Sequence, residues 1–200
     1  LEKYVDIKDD HARRYAAMIT HMDAAVKRIV EALQKKGMMK NTLLFFASDN
    51  GAPGGEKYTY CSNGPWRAGK GRLYEGGVRV PAFMVWPGYI KPGTVVDEPL
   101  HIVDLYPTLC DVAGVHPSPP KPLDGHDIMH CITDGAKTPH SDILLNVSYK
   151  GGLVMGDWKL KCNAHSYQEC ELYNLKKDPK EEHDVAKEHP LRVKKMQAVL

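Results

Sequence analysis

The sequence lacks an excess of either charge: 27 lysines and arginines stand against 25 aspartates and glutamates, a formal net of +2. That balance offers no electrostatic footprint for nucleic acid or for an anionic membrane surface, so neither is expected as a partner. A long apolar run is also missing. The longest, at residues 43–47, falls far short of the ~20 residues a membrane helix requires, and no membrane span is expected. No internal repeat and no low-complexity tract is present, which excludes solenoids and fibrous arrays. The chain begins at Leu1, and no charged segment followed by an apolar stretch opens it, so no targeting segment is visible within these residues. Cysteine is sparse and odd in number: with five, at least one is free or pairs outside the chain, and the count leaves the redox compartment open. What is there fits a globular protein. With 200 residues, 42% hydrophobic and 26% charged, the chain suffices for one compact domain or part of a larger one.

From Asp9 onward Tyr15, Met18, Ile19, Met22, Val26, Ile29, Val30 and Leu33 recur at spacings of three and four, predicting a helix with one buried stripe. Asp9 or Asp10 caps its start and Gly37 ends it, and the methionines are read as core packing. The unbroken apolar run 42–47 suits a strand covered on both faces, as in a parallel α/β sheet. It stops at Ser48-Asp49-Asn50-Gly51, which places an acid and an amide past the carboxyl end of a strand, where open α/β sheets bind ligands. Residues 51–77 hold eight of the 17 glycines and read as one long loop. Its Tyr58, Tyr60, Trp66, Arg67, Lys70, Arg72 and Tyr74 argue for an ordered loop that lines a site. A second buried strand is predicted at 80–86, then a short helix at 105–112 capped by Asp104, a proline-rich connection at 116–122 and a short helix near 127–132. Beyond residue 141 the texture turns to short strands at 143–147, 153–155, 158–162 and 171–175, a small antiparallel sheet, followed by an amphipathic helix from about residue 189.

Asp49 and Asn50 supply two hard oxygen ligands suited to calcium or magnesium, although a simple turn with Gly51 explains the dipeptide equally well. Lys70, between Gly69 and Gly71, stands where bare backbone lets a cation reach an anion; an exposed loop lysine is the alternative. His126 and His130 have the spacing of zinc ligands but no accompanying glutamate or third ligand, so surface histidines are the better reading. Cys162 and Cys170 flank a short loop between predicted strands, either as a disulfide or as two free thiols. Asn146-Val147-Ser148 is a glycosylation sequon, meaningful in a secreted or lysosomal protein.

Taken in order, Ser48-Asp49-Asn50-Gly51-Ala52, Gly69-Lys70-Gly71 and Tyr74-Glu75-Gly76-Gly77-Val78-Arg79-Val80-Pro81 resemble the second half of a sulfatase, most closely the arylsulfatase type. The resemblance continues through His101-Ile102-Val103-Asp104-Leu105-Tyr106-Pro107-Thr108-Leu109, Leu123-Asp124-Gly125, Gly156-Asp157-Trp158-Lys159-Leu160 and Glu171-Leu172-Tyr173-Asn174-Leu175, covering essentially the whole chain. It implies a partial alkaline-phosphatase-like α/β domain over residues 1–140 and a small C-terminal subdomain of antiparallel strands and a helix over 141–200. It further implies hydrolysis of a sulfate ester, with Asp49 and Asn50 as two ligands of one calcium ion and Lys70 in contact with the substrate sulfate. A lysosomal or secreted location follows from the same resemblance. The formylglycine nucleophile of such enzymes arises within a Cys-x-Pro-x-Arg type motif, and none of Cys61, Cys110, Cys131, Cys162 or Cys170 has that context. The chain is therefore expected to be a fragment, inactive alone, with the nucleophile in a missing N-terminal part.

Two rival functions remain at this level. A phosphatase or phosphodiesterase of the same superfold generally carries a metal-binding histidine after the strand-end aspartate, where this chain has Asn50. A sulfatase-derived binding protein would keep the sheet and lose the nucleophile.

Overall fold

The computed structural model describes residues 2–54, 60–116, 121–147, 150–163 and 166–200. Tyr58, Ser148 of the sequon and most of the proline-rich connection lie outside the described residues. A first helix, α1 (Asp10–Lys35), begins where Asp9 Oδ1 accepts the Ala12 N–H at 2.6 Å. It ends where Gly37 adopts φ +67°, a left-handed conformation that a residue without Cβ enters freely.

The stripe on α1 departs from expectation, for none of its residues is buried. Met18, Ile19, Met22 and Ile29 lie open to solvent. The physical reason is a shortage of cover: a helix roughly 39 Å long is flanked by 3-10 turns of three residues each, Glu2–Tyr4 and Met39–Asn41. The Tyr60 ring meets its first turns, at His11 and Tyr15.

Strand β1 (Leu44–Ala47) pairs with β2 (Ala82–Val85), with Leu44 opposite Val85 and the rings of Phe46 and Phe83 stacked 5.1 Å apart. This pairing is antiparallel, in contrast to the expected parallel neighbour. The strands are also not covered on both faces, since β1 is half-buried throughout and Phe83 and Val85 are exposed. A short apolar run specifies burial without specifying the direction of its partner. Between the two strands, the long loop ends in a single helical turn, α2 (Glu75–Val78). Two further helices follow, α3 (Leu105–Val112) and α4 (Met129–Thr133), the latter contributing Cys131 and Ile132 to a small core with Ile128.

The C-terminal part is a four-stranded antiparallel meander of β3 (Ile143–Val147), β4 (Lys150–Met155), β5 (Trp158–Asn163) and β6 (Ser166–Asn174), in that spatial order. Period-two alternation gives its central strands two distinct faces. On one face Leu153, Leu160 and Leu172 sit side by side in register across three strands, all fully buried. The closing helix α5 (Pro190–Gln197) lays Met196 and Val193 on that row. Cys162 and Cys170, also register partners, are joined by a disulfide. The opposite face of β5 and β6 carries Lys159, Lys161, Glu171 and Tyr173, and these look toward the glycine-rich loop. The molecule is thus a partial α/β domain followed by a small antiparallel sheet with a helix.

Candidate functional site

The loop after β1 is held to the Lys70 loop by backbone hydrogen bonds and by the Asn63 side chain, and glycine makes the approach possible. Gly51 N–H donates to the Gly77 carbonyl at 3.1 Å, and Lys70 N–H donates to the Ala52 carbonyl at 3.0 Å. A Cβ on Gly51 would stand 1.7 Å from the Gly76 oxygen, one on Gly69 would stand 2.2 Å from the Ala52 oxygen, and one on Gly77 would stand 2.0 Å from the Arg72 oxygen. Asn63 seals the crossing. Its Oδ1 accepts the Ala52 N–H at 2.7 Å and its Nδ2 donates to the carbonyls of Ala52 and Ala68.

Asp49 and Lys70 are exposed and Asn50 is half-buried. Among the described residues none of these three side chains makes a hydrogen bond or ion pair. The Asn50 carbonyl accepts from Ser48 Oγ at 2.8 Å, which fixes the bend that presents the acid and the amide. The donor set fits a hard divalent cation in kind, being one carboxylate and one carboxamide, and two oxygens form part of the six to eight that calcium takes.

Four of the other residues read as lining a site, Tyr60, Trp66, Arg67 and Tyr74, have partners elsewhere in the fold. Arg67 lies over the Tyr74 ring, 4.1 Å from its centroid, and Nη1 donates to Tyr173 Oη at 3.1 Å and to the Glu181 carbonyl at 2.6 Å. Tyr74 and Tyr173 both donate to Glu171 Oε2, at 2.7 and 2.6 Å, and Lys161 Nζ donates to Oε1 at 2.7 Å. Burial pushes the Glu171 carboxyl upward, but these three donors outweigh it and hold the group below the usual carboxylate range. Burial and the Glu171 charge raise both phenols, so they stay protonated donors. Trp66 supports the Arg79 guanidinium, and Tyr60 rests on α1. Arg67 and Tyr74 thereby bind the loop to the C-terminal sheet.

Beneath them sits a buried charge cluster that sequence reasoning missed. Lys159 Nζ, fully buried, lies 2.9 Å from Glu75 Oε1 and 2.9 Å from Glu181 Oε1. Glu181 Oε2 accepts the Glu75 N–H at 2.6 Å. Members at 75, 159 and 181 share no local pattern; the one available signal was a lysine alternating into a strand otherwise apolar on its neighbours.

Asp104 is a second hub. Expected to cap α3, it makes no side-chain bond to that helix's backbone. Its fully buried carboxylate instead accepts the N–H groups of His101 and His126, at 2.7 and 3.0 Å, and faces His140 Nε2 at 2.8 Å. His126 precedes α4, so it shares no helix face with His130, whose ring pairs with Asp134 at 2.7 Å. Both histidines are exposed, in keeping with the reading of them as surface groups. Asp178, Glu182 and His183 bring ligand atoms near one another, but the Asp178 oxygens already accept the N–H groups of Glu182 and His183 in a tight turn. No described helix is long and apolar enough to cross a membrane.

Residues 2–115 match the family profile described as Sulfatase, and residues 67–200 match that of N-sulphoglucosamine sulphohydrolase, C-terminal. The chain is 38% identical to Arylsulfatase J of Mus musculus over 146 residues, covering 73% of this chain and 24% of that protein. To Arylsulfatase A of Homo sapiens it is 33% identical over 193 residues, covering 84% and 38%. The crystal structure of Ps i-CgsB superposes with a TM-score of 0.85 at 31% identity, over 98% of this chain and 43% of that one. The chain thus spans less than half the length of these relatives, and such sulfatases share the alkaline-phosphatase-like fold.

Proposed function

The chain belongs to the sulfatase family, arylsulfatase-like in type, and on that premise we propose that it supplies part of the cation and anion site of a sulfate-ester hydrolase. In this reading residues 1–140 are the C-terminal part of the catalytic α/β domain and 141–200 are the small subdomain. Asp49 and Asn50 donate two oxygens to one calcium ion, and Lys70 extends its ammonium to the substrate sulfate. The observation that carries the reading is the glycine-packed crossing, because the Lys70–Ala52 backbone bond tethers the lysine's segment two residues beyond Asn50.

A cation held there supplies positive charge against the sulfate oxygens, which is the electrostatic part of barrier lowering. Lys70 adds a second charge from the neighbouring loop, its side chain having no partner among the described residues. The nucleophile lies outside these residues in this reading, since no cysteine here has the required context. The Cys162–Cys170 disulfide and the exposed Asn146 of the sequon support a lysosomal or secreted setting, where such bonds persist.

The test uses the intact enzyme that contains this segment, with a chromogenic aryl sulfate as substrate. Asp49→Ala is expected to weaken calcium binding in calorimetry and to raise the calcium needed for turnover. Lys70→Ala is expected to lower kcat/KM at least tenfold with an unchanged melting temperature, as loss of a charge contact to the transition state does. An unchanged rate in Lys70→Ala removes Lys70 from the site, and sulfatase activity in the 200-residue chain alone overturns the placement of the nucleophile.

A further inference from the structure

The segment that carries Lys70 is closed at its base and bolted from one direction. Gly76 N–H donates to the Arg67 carbonyl at 2.9 Å, which joins the two ends of the segment. Both ends then meet the same distant residue. Arg67 donates through Nη1 to the Glu181 carbonyl at 2.6 Å, across 114 positions of sequence, and Glu75 donates through its N–H to Glu181 Oε2 at 2.6 Å, across 106. The other carboxylate oxygen of Glu181 takes Lys159, which also holds the Glu75 side chain. One fully buried residue therefore uses its backbone and its side chain to grip both ends of one loop.

Two features argue that this grip is more than packing. Glu181 adopts φ +58°, a region that a residue with a Cβ enters at some cost, and such conformations persist where the surroundings hold the residue in them. The grip is also made of buried charge, which contributes less stability than apolar contacts of equal volume but fixes direction. Within the loop, by contrast, Lys70 has only its backbone bond to Ala52, and its side chain has no partner among the described residues.

We propose that Glu181 is a positioning residue for Lys70: by clamping Arg67 and Glu75 it sets where the Lys70 ammonium stands, so the segment after β6 tunes the anion site it does not touch. The inference rests on the reading of Lys70 as the sulfate contact. Displacing a charged group by a fraction of an ångström to an ångström from its productive place is enough to lower a rate by one to two orders of magnitude.

A double-mutant cycle in the intact enzyme tests it, with kcat/KM for an aryl sulfate as readout well below the melting temperature of every variant. Glu181→Gln keeps the side-chain volume and breaks the charge pairing with Lys159. It is expected to lower kcat/KM about tenfold in the natural background and less than about twofold in the Lys70→Ala background, the signature of one residue acting through another. Equal losses in both backgrounds overturn the inference. Arg67→Lys, which releases the carbonyl end of the clamp and leaves the buried carboxylates paired, runs the same cycle should Glu181→Gln fail to fold. Full activity in Lys70→Ala alone strikes the underlying reading of Lys70, a result distinct from additivity.

Discussion

Replacing Lys159 by methionine isolates the worth of the buried cation, because methionine nearly preserves the volume of the side chain. In the protein as it stands the ammonium lies 2.9 Å from both Glu75 and Glu181, and the side chains are almost wholly out of water. Breaking such a set by removing one partner leaves uncompensated buried charge and costs about 3–5 kcal/mol. For a chain of this size that is a fall of roughly 6–20 °C in melting temperature. The loss also depends on pH in a definite direction. Burial pushes the Glu181 carboxyl above its ordinary range even against the pull of Lys159. Between the unfolded value and this raised one the folded chain holds a proton that the unfolded chain has released, so stability from this group is full below the lower value and falls as pH rises. Without Lys159 the raised value climbs further and the window widens upward. The destabilisation read from thermal melts of Lys159→Met against the natural protein is therefore larger at pH 7.5 than at pH 4.5. An equal fall at both pH values, or one under about 2 °C, would refute the account of the cluster as a charge-paired unit.

The glycine crossing predicts a contrast between two alanine substitutions. Gly51→Ala drives a Cβ to 1.7 Å from the Gly76 carbonyl oxygen and forces the loops apart, whereas Gly64, at φ +64° with nothing within 4 Å, asks only for the left-handed conformation. Denaturant midpoints should show a loss of about 3 kcal/mol or more for the first and about 1–2 kcal/mol for the second, and equal losses would sink the argument. The disulfide closes a separation of 8 residues, so the Cys162→Ser, Cys170→Ser double variant should lose about 2–3 kcal/mol in urea unfolding. No change would mean that the cross-link constrains nothing that β5 and β6 have not already fixed.

Local features of this fold were legible in the sequence, and non-local ones were not. Asp9 and Gly37 marked the ends of α1 to within a residue, because caps act over a single turn. The C-terminal strands were placed by alternation, with β6 beginning five residues earlier than expected at Ser166. The antiparallel pairing of β1 was not legible, since Leu44 to Ala47 would read the same beside either partner. Nor was the exposure of Met18 and Ile29, because periodicity states which face is apolar and not what covers it. Asp104 has the sequence signature of a helix cap, yet its carboxylate serves His101, His126 and His140, the last of which is 36 residues distant. Arg67 and Tyr74 read as site residues from their loop, while their partners Glu171, Tyr173 and Glu181 lie about a hundred positions away. For the candidate site itself, strand-end and glycine context marked Asp49, Asn50 and Lys70, but the crossing that links their segments depends on which carbonyls Gly51, Gly69 and Gly77 must pass.

The long sequence gap within the Glu75–Lys159–Glu181 cluster imposes an order of events during synthesis. Glu75 leaves the ribosome 106 positions ahead of Glu181, a wait of about 5–20 s at ordinary elongation rates. Throughout that interval the loop bearing Lys70 lacks the Glu181 clamp, while β3, β4, β5 and β6, which pair with their immediate neighbours in sequence, are all synthesised before Glu181. The loop bearing Lys70 is accordingly among the last of these 200 residues to acquire its shape, and a nascent chain arrested before Glu181 would carry it unfastened.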